Sequence, residues 1–274
     1  MPDTRTLRLL RIVRRLFPAL LRARLRILMV QWLDLSWRLP SGVALRIASY
    51  DDWIVYNEIF VNREYDPAIS KALESPSRTR PLCIVDLGAN VGFFTLRVVD
   101  LLRQSPTACG PFTITLVEGH PNLVAALHSR VMTENGLSDH VRIVHGLIGE
   151  RAGTATLYEE DPLAGSSIFA GTAHSGLQVD YVDLSPLFAL EQEIDLLKCD
   201  IEGAELRLIE NYPDIFQKVR VAVFELHDLK CNTQQCRHLL GKLGFTHQMV
   251  LRQSNPPPPY SVQNQPCSIY CVWR

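Results

Sequence analysis

Ile84-Val-Asp86-Leu-Gly88-Ala-Asn90-Val-Gly92-Phe-Phe94 decides how this chain reads. An apolar run ends on an acidic residue, turns through two glycines and enters a helix, so a buried strand hands over to a helix within a few residues. In open α/β sheets a ligand sits at the carboxyl ends of the strands, near this first strand-to-helix turn. Gly88 would then let backbone approach the ligand, while Asp86 and the helix start organise a positively charged or hydrogen-bonding group.

The same rhythm continues outward. Leu82 to Asp86, Phe112 to Glu118, Val141 to His145, Ile194 to Asp200 and Val219 to Glu225 read as buried strands. Val91 to Leu102, Pro121 to Asn135, Ala204 to Asn211 and Thr233 to Leu243 read as helices. Phe245 to Arg252 and Cys267 to Trp273 close as a hairpin around a proline loop. The pattern predicts an α/β fold with a mostly parallel seven-stranded sheet, helices on both faces and a C-terminal antiparallel hairpin. Between His145 and Ile194 the rhythm breaks, and the alternating runs Thr154 to Tyr158 and Val179 to Val182 read as an antiparallel flap. Three parts are expected: a basic amphipathic helical arm at 1–40, a strand-and-helix cap with linker at 41–80, and the main domain at 81–274. Within the cap, Gly42 to Ile47 reads as a strand, Ser49 to Asp52 caps a helix reaching about Asn62, and Pro67 to Pro81 reads as linker.

With 47% hydrophobic and 21% charged residues, the composition is that of a globular chain and excludes disordered, collagen-like and disulfide-framework classes. The arm, Met1 to Pro40, holds nine arginines against Asp3 and Asp34, leaving 19 basic and 27 acidic residues elsewhere. A body that acidic repels a phosphate backbone, so nucleic acid is not the expected partner. Arg22, Arg24 and Arg26 interrupt the apolar run from Leu16 to Leu33, so no membrane span is expected. On a helical wheel Arg8, Arg11, Arg15, Arg22 and Arg26 fall within roughly 60° of one another, opposite Leu9, Leu16, Phe17, Leu20 and Ile27. Such an arm could contact anionic lipid peripherally or dock its apolar face on the acidic body or a second subunit. Seven scattered cysteines without a Cys-x-x-Cys pair read as reduced, cytoplasmic usage rather than disulfides or zinc.

The loop at 86–92 is not a dinucleotide fingerprint, which would need glycines at 88, 90 and 93 where this chain has Gly88, Asn90 and Phe93. An acidic residue two before the first glycine suits a sulfonium or amino group better than a pyrophosphate. Glu118 ends the second strand, where a carboxylate can accept both hydroxyls of a ribose. Alternation places Lys198, Asp200 and Glu202 on one face at the end of the fourth strand, and Glu225 and His227 likewise at the end of the fifth. Such charges either form an ion-pair cluster securing the strand ends or act in chemistry. A divalent ion on Asp200, Glu202 and Glu225 stays open, but no spacing requires it and no metal is assigned.

The D-x-G-x-x-x-G pattern resembles motif I of class I S-adenosylmethionine methyltransferases. Together with Glu118-x-x-Pro121, Gly165-Ser-Ser, Lys198-Cys-Asp-Ile-Glu-Gly-Ala-Glu205 and Glu225-Leu-His227, it resembles the FkbM methyltransferase family over residues 50–273. The usual Lys-Ile-Asp-Val-Glu carries Cys199 and Ile201 here, and Glu118-Gly-His-Pro departs from the commoner Glu-Pro-x-Pro; neither touches a charged position. The resemblance implies a Rossmann-like class I methyltransferase fold, S-adenosylmethionine as cofactor, and O-methylation of a hydroxyl on a small molecule or sugar. It implies cofactor contacts at Asp86, Gly88, Asn90, Gly92 and Glu118. For the chemistry, His227 is the first choice of base because an ordinary imidazole titrates near neutrality. Asp200 and Glu202 come next, with Lys198 stabilising an oxyanion or holding a carboxylate. The rival class is a catalytically silent methyltransferase-fold protein that docks on a membrane or partner. Asn255-Pro-Pro-Pro-Pro-Tyr260 imitates the motif of amino-directed nucleic-acid methyltransferases, yet it stands in the hairpin loop, where a stiff proline turn explains it.

Overall fold

A computed structural model describes residues 35–74, 80–105, 110–159, 166–167, 176–253 and 267–274. The arm up to position 34, Gly165, the proline loop around Asn255–Tyr260 and part of the expected linker lie outside the described residues.

The chain opens with an antiparallel pair, β1 (Leu35–Arg38) and β2 (Ala44–Ile47), followed by α1 (Tyr50–Tyr56), which widens into a π turn over Asn57–Val61. Ser49 caps α1 by accepting from the Asp52 N–H. The stretch after Pro67 is not a linker: α2 (Asp66–Leu73) occupies it, with the proline in its first turn, where the missing N–H costs nothing. Ala68, Ile69 and Ala72 face the core, and this buried stripe overrides the polar, proline-punctuated look of the segment.

The main domain follows as β3 (Leu82–Leu87), α3 (Phe93–Gln104), β4 (Phe112–Glu118), α4 (Pro121–Leu127, with a π turn to Glu134) and β5 (Val141–His145). A small three-stranded antiparallel sheet comes next, formed by β6 (Thr154–Glu159), β7 (Ser166–Ser167) and β8 (Gly176–Asp180). The chain returns through α5 (Leu184–Leu187), β9 (Ile194–Cys199), α6 (Glu205–Asn211), α7 (Pro213–Lys218), β10 (Val219–His227), α8 (Thr233–Lys242), β11 (His247–Arg252) and β12 (Cys267–Trp273).

The central sheet has seven strands in the order β11-β12-β10-β9-β3-β4-β5. β12 runs antiparallel to both of its neighbours, while β3, β4, β5, β9 and β10 pair in parallel. Both faces of the parallel strands are covered, so β3 and β9 are buried at every position and their sequences run continuously apolar. Alternate residues feed two cores: Ile84, Leu196, Val221 and Val223 pack with α2 and α3, whereas Val85, Leu197, Ala222 and Phe224 pack with α6, α7 and α8. The order reverses between β3 and β9, because the chain winds outward through β4 and β5 before returning to the other side of β3. Such a switch point opens a crevice at the carboxyl ends of the strands.

Candidate active site

The connection leaving β3 crosses directly over the end of β9. The Asp200 N–H donates to Leu87 O at 3.0 Å, and the Gly88 N–H donates to Val117 O at 2.9 Å on the other flank. Gly88 has φ +74°, and a Cβ on it would lie 1.7 Å from the Asp200 carbonyl oxygen. Its glycine requirement therefore comes from the protein's own backbone, whereas the sequence suggested the approach of a ligand. Gly92, with φ +88°, caps α3, and a Cβ there would press on Leu127 and Val131.

Beneath the loop lies a buried charge bridge. Asp86, with no exposed surface, accepts from Thr95 Oγ1 at 3.1 Å and pairs with Lys198 Nζ at 3.3 Å. Lys198 Nζ also donates to Gly88 O at 2.6 Å and pairs with Asp200 at 3.5 Å. Lys198 thus ties the β3 loop to the end of β9. Of the two roles the sequence left open for it, the geometry matches holding carboxylates in place. Burial alone would lower its pKa, but Asp86 and Asp200 keep it above the ordinary lysine value. Burial also raises the Asp86 carboxyl against the pull of Lys198.

Glu118 ends β4 beside this loop. One oxygen accepts from the Asn90 N–H at 2.8 Å and the other from the His120 N–H at 2.9 Å. Asn90 reaches that position with φ +51°, a left-handed backbone that asparagine tolerates better than most residues. A carboxylate offers about four acceptor positions, so two remain on Glu118 for a pair of hydroxyls. The residues present fit a ribose-bearing cofactor.

At the ends of β9 and β10 the structure brings Asp200, Glu202 and His227 together. His227 Nε2 lies 3.4 Å from Glu202 Oε2, which Lys230 Nζ also meets at 2.9 Å. Burial would lower the His227 pKa, but Glu205, Glu202, Asp200 and Glu225 surround it and hold it at about 10. His227 therefore carries its proton at neutral pH, and the ordinary imidazole behaviour on which its expected role as base rested does not apply. Asp200 takes the opposite course. Burial raises its carboxyl, Lys198 pulls it back, Glu225 and Glu202 push it up again, and it titrates at about 7.

Glu225 is committed elsewhere. Its Oε2 accepts from Tyr65 Oη at 2.8 Å, and its Oε1 meets Arg252 and the Cys267 thiol. Burial opposes its charge, yet Arg252 and His227 hold the carboxyl at about 2. Arg252 also reaches Glu64 at 2.7 Å and Glu58 at 3.2 Å, and burial together with Glu225 pushes Glu58 up to about 8. A metal shared by Asp200, Glu202 and Glu225 would require Glu225 to leave these partners. One donor atom each of Asp200, Glu202 and His227 lies within 4.8 Å, but Lys198 and Lys230 already neutralise the two carboxylates, and no metal is assigned.

Tyr65, Glu58, Glu64, Thr95, Lys230, Arg252 and Cys267 also belong to this cluster, and none of them stood out in the sequence. Thr95 and Lys230 had a local signal, standing one turn into α3 and three residues after His227. Tyr65 bonds a residue 160 positions away and Arg252 a residue 188 positions away, and no local pattern announces either contact. The cap is bound to the main domain in the same long-range way, through Arg130 to Asp52 at 2.5 Å and Arg97 to Asp66 at 2.6 Å.

A parallel sheet with this switch point, a glycine turn above an acidic strand end and a ribose-compatible carboxylate together define a methyltransferase-type α/β domain. The methyltransferase FkbM domain matches residues 86–252, more than half of the chain. The chain belongs to the FkbM methyltransferase family, whose expected methyl donor is S-adenosylmethionine. No curated protein matches it. Among solved structures, a methyltransferase FkbM from Methylobacillus flagellatus KT is similar at 12% identity and a TM-score of 0.47, over 81% of this chain and 53% of that one. Aeropyrum pernix fibrillarin in complex with S-adenosyl-L-methionine is similar at 14% identity and TM-score 0.44, over 88% and 84%. Precorrin-6y C5,15-methyltransferase from Geobacter metallireducens GS-15 is similar at 12% identity and TM-score 0.40, over 76% and 87%. No helix among the described residues is long and apolar enough to cross a membrane.

Proposed function

We propose that the protein transfers a methyl group from S-adenosylmethionine to a hydroxyl of a small molecule or sugar. The observation that carries this reading is the crossing at the switch point, where Lys198 joins the Gly88 loop to Asp86 and Asp200 while Glu118 holds the same loop through the Asn90 N–H, at the ends of three adjacent strands. Glu118 would accept the ribose hydroxyls with its two free acceptor positions, and the loop from Gly88 to Gly92 would line the same ligand. When bound, the cofactor supplies an electrophilic methyl on a sulfonium, and the cleft's surplus of carboxylates complements that positive charge. An alcohol must lose a proton as it is methylated, and Asp200, a quarter exposed and titrating at about 7, is matched to accept it. His227, protonated beside it, stabilises the negative charge of the cluster rather than competing for that proton. Binding of S-adenosylmethionine to the full-length protein by calorimetry tests the cofactor half of the reading, and absence of binding would overturn it. Labelled methyl transfer to panels of alcohols and of amines tests the other half; methylated amines with untouched alcohols would replace the hydroxyl acceptor.

A further inference from the structure

The turn that follows β9 is strained where it matters. Glu202 has φ +56° and Gly203 φ +107°, and the left-handed region crowds the Cβ of any residue other than glycine against its carbonyl oxygen. Glu205, fully buried at the start of α6, holds the turn from below: its Oε1 accepts from the Gly203 N–H at 3.0 Å and the Ile201 N–H at 3.3 Å. The same carboxylate faces His227. Nδ1 of that imidazole lies 3.8 Å from Glu205 Oε1, while its Nε2 faces Glu202 on the opposite side.

Five buried side-chain atoms among the described residues lack a hydrogen bond, and two of them, Glu205 Oε2 and His227 Nδ1, belong to this one pair. A buried polar atom left without a partner carries the full cost of its lost hydration. An approach of less than about 1 Å would give Nδ1–H a charge-assisted bond to the carboxylate.

We propose that Glu205 is a positioning residue that accepts Nδ1–H of His227, fixing the imidazole so that Nε2–H is presented to Glu202 and Asp200, while shaping the turn that carries those two carboxylates. One buried acid then sets both sides of the contact, the ring and the groups it meets. The groups facing His227 are Asp200 and Glu202 from the turn, Glu205 from α6, Glu225 on its own strand and Cys267 on β12. Cys231, just beyond β10, lies beside Glu205, and its thiol is held above its ordinary value by its hydrogen bond to Cys236 and by burial, with that carboxylate adding to both. Lys230 engages Glu202. Only the role of Asp200 in taking the alcohol's proton rests on the proposed function; the Glu205–His227 pairing does not.

Long-range ¹H–¹⁵N spectra of the full-length protein with labelled histidine test the pairing, with His227 assigned by the signal lost in His227→Gln. In the wild type, Nδ1 should stay protonated through neutral pH, and this needs no Glu205 variant to fold. Glu205→Gln keeps an oxygen for the Gly203 N–H, so the variant should bind S-adenosylmethionine within about twofold of wild type. Its His227 midpoint should nevertheless fall by about 1 to 3 pH units, the range for losing a neighbouring opposite charge, and Glu205→Asp should recover part of the fall. A wild-type Nδ1 found without its proton at neutral pH, or a His227 midpoint unmoved in a folded Glu205→Gln, would overturn the proposal. A wild type that shows the paired imidazole but binds no S-adenosylmethionine would refute the proposed function and leave this pairing standing.

Discussion

Replacing Gly88 by alanine should strike the fold before it strikes the ligand. The new Cβ would stand 1.7 Å from the Asp200 carbonyl oxygen, where ordinary contact begins near 3.4 Å, so the two strand ends must part by about 1.7 Å. That movement threatens three bonds: Gly88 N–H to Val117 O, Asp200 N–H to Leu87 O, and Lys198 Nζ to Gly88 O. The two backbone bonds are each worth about 0.5 to 1.5 kcal/mol, and the charged one about 1.5 to 3 kcal/mol. The left-handed φ adds about 1 to 2 kcal/mol for any residue with a Cβ. The total is roughly 3.5 to 8 kcal/mol, against the 5 to 15 kcal/mol that usually separates a domain from its unfolded chain. Gly136 supplies the control: its φ is +63° and a Cβ there meets nothing within 4 Å, so Gly136→Ala should cost only the about 1 to 2 kcal/mol of backbone conformation. Urea unfolding of both variants, followed by circular dichroism, isolates the crowding. If Gly88→Ala came within about 1 kcal/mol of Gly136→Ala, the crossing would be softer than argued and the glycine would have to answer to a ligand after all.

Glu118→Ala should weaken S-adenosylmethionine binding by about 10- to 150-fold in calorimetry, the loss of charged hydrogen bonds, and should abolish discrimination against a 2′-deoxyribose analogue. Lys198→Met leaves Asp86 buried without its cation and should destabilise by about 3 to 5 kcal/mol, while Asp86→Asn combined with it should recover much of the loss; equal instability in both would mean the bridge is not what secures the strand ends. Because the folded state binds the His227 proton more tightly than the unfolded chain, its contribution to stability is full below pH 6.5 and is lost as pH rises to about 10. Unfolding midpoints across that interval should decline for the wild type and decline less for His227→Gln. Asp200→Asn should keep cofactor affinity and lose about 100-fold or more in turnover, measured with whichever alcohol the acceptor panel identifies.

The parts that a sequence can show are those written in short range. The βα rhythm, the glycine turn at 86–92 and the carboxylates that close β4 and β9 all follow from local backbone chemistry, and they led to the right sheet and to the strand ends where the charged cluster gathers. What stayed hidden depends on which distant groups share a dielectric pocket. His227 looks like a neutral-pH base in isolation, and only the convergence of Asp200, Glu202, Glu205 and Glu225, drawn from three elements, keeps its proton on until about pH 10. Pro67 looked like the start of a linker because its segment is polar in sequence; in space it opens a helix whose buried stripe packs on one face of the sheet and whose neighbour Tyr65 bonds Glu225 near the end of β10. The glycine case joins the two lessons. That a turn runs through Gly88 was legible, but its left-handed backbone and the reason for the glycine were not, since the obstructing oxygen belongs to a residue more than a hundred positions later, brought there by the reversal of strand order between β3 and β9. A pattern fixes what a residue can do; the crossing of two strands decides what it must avoid.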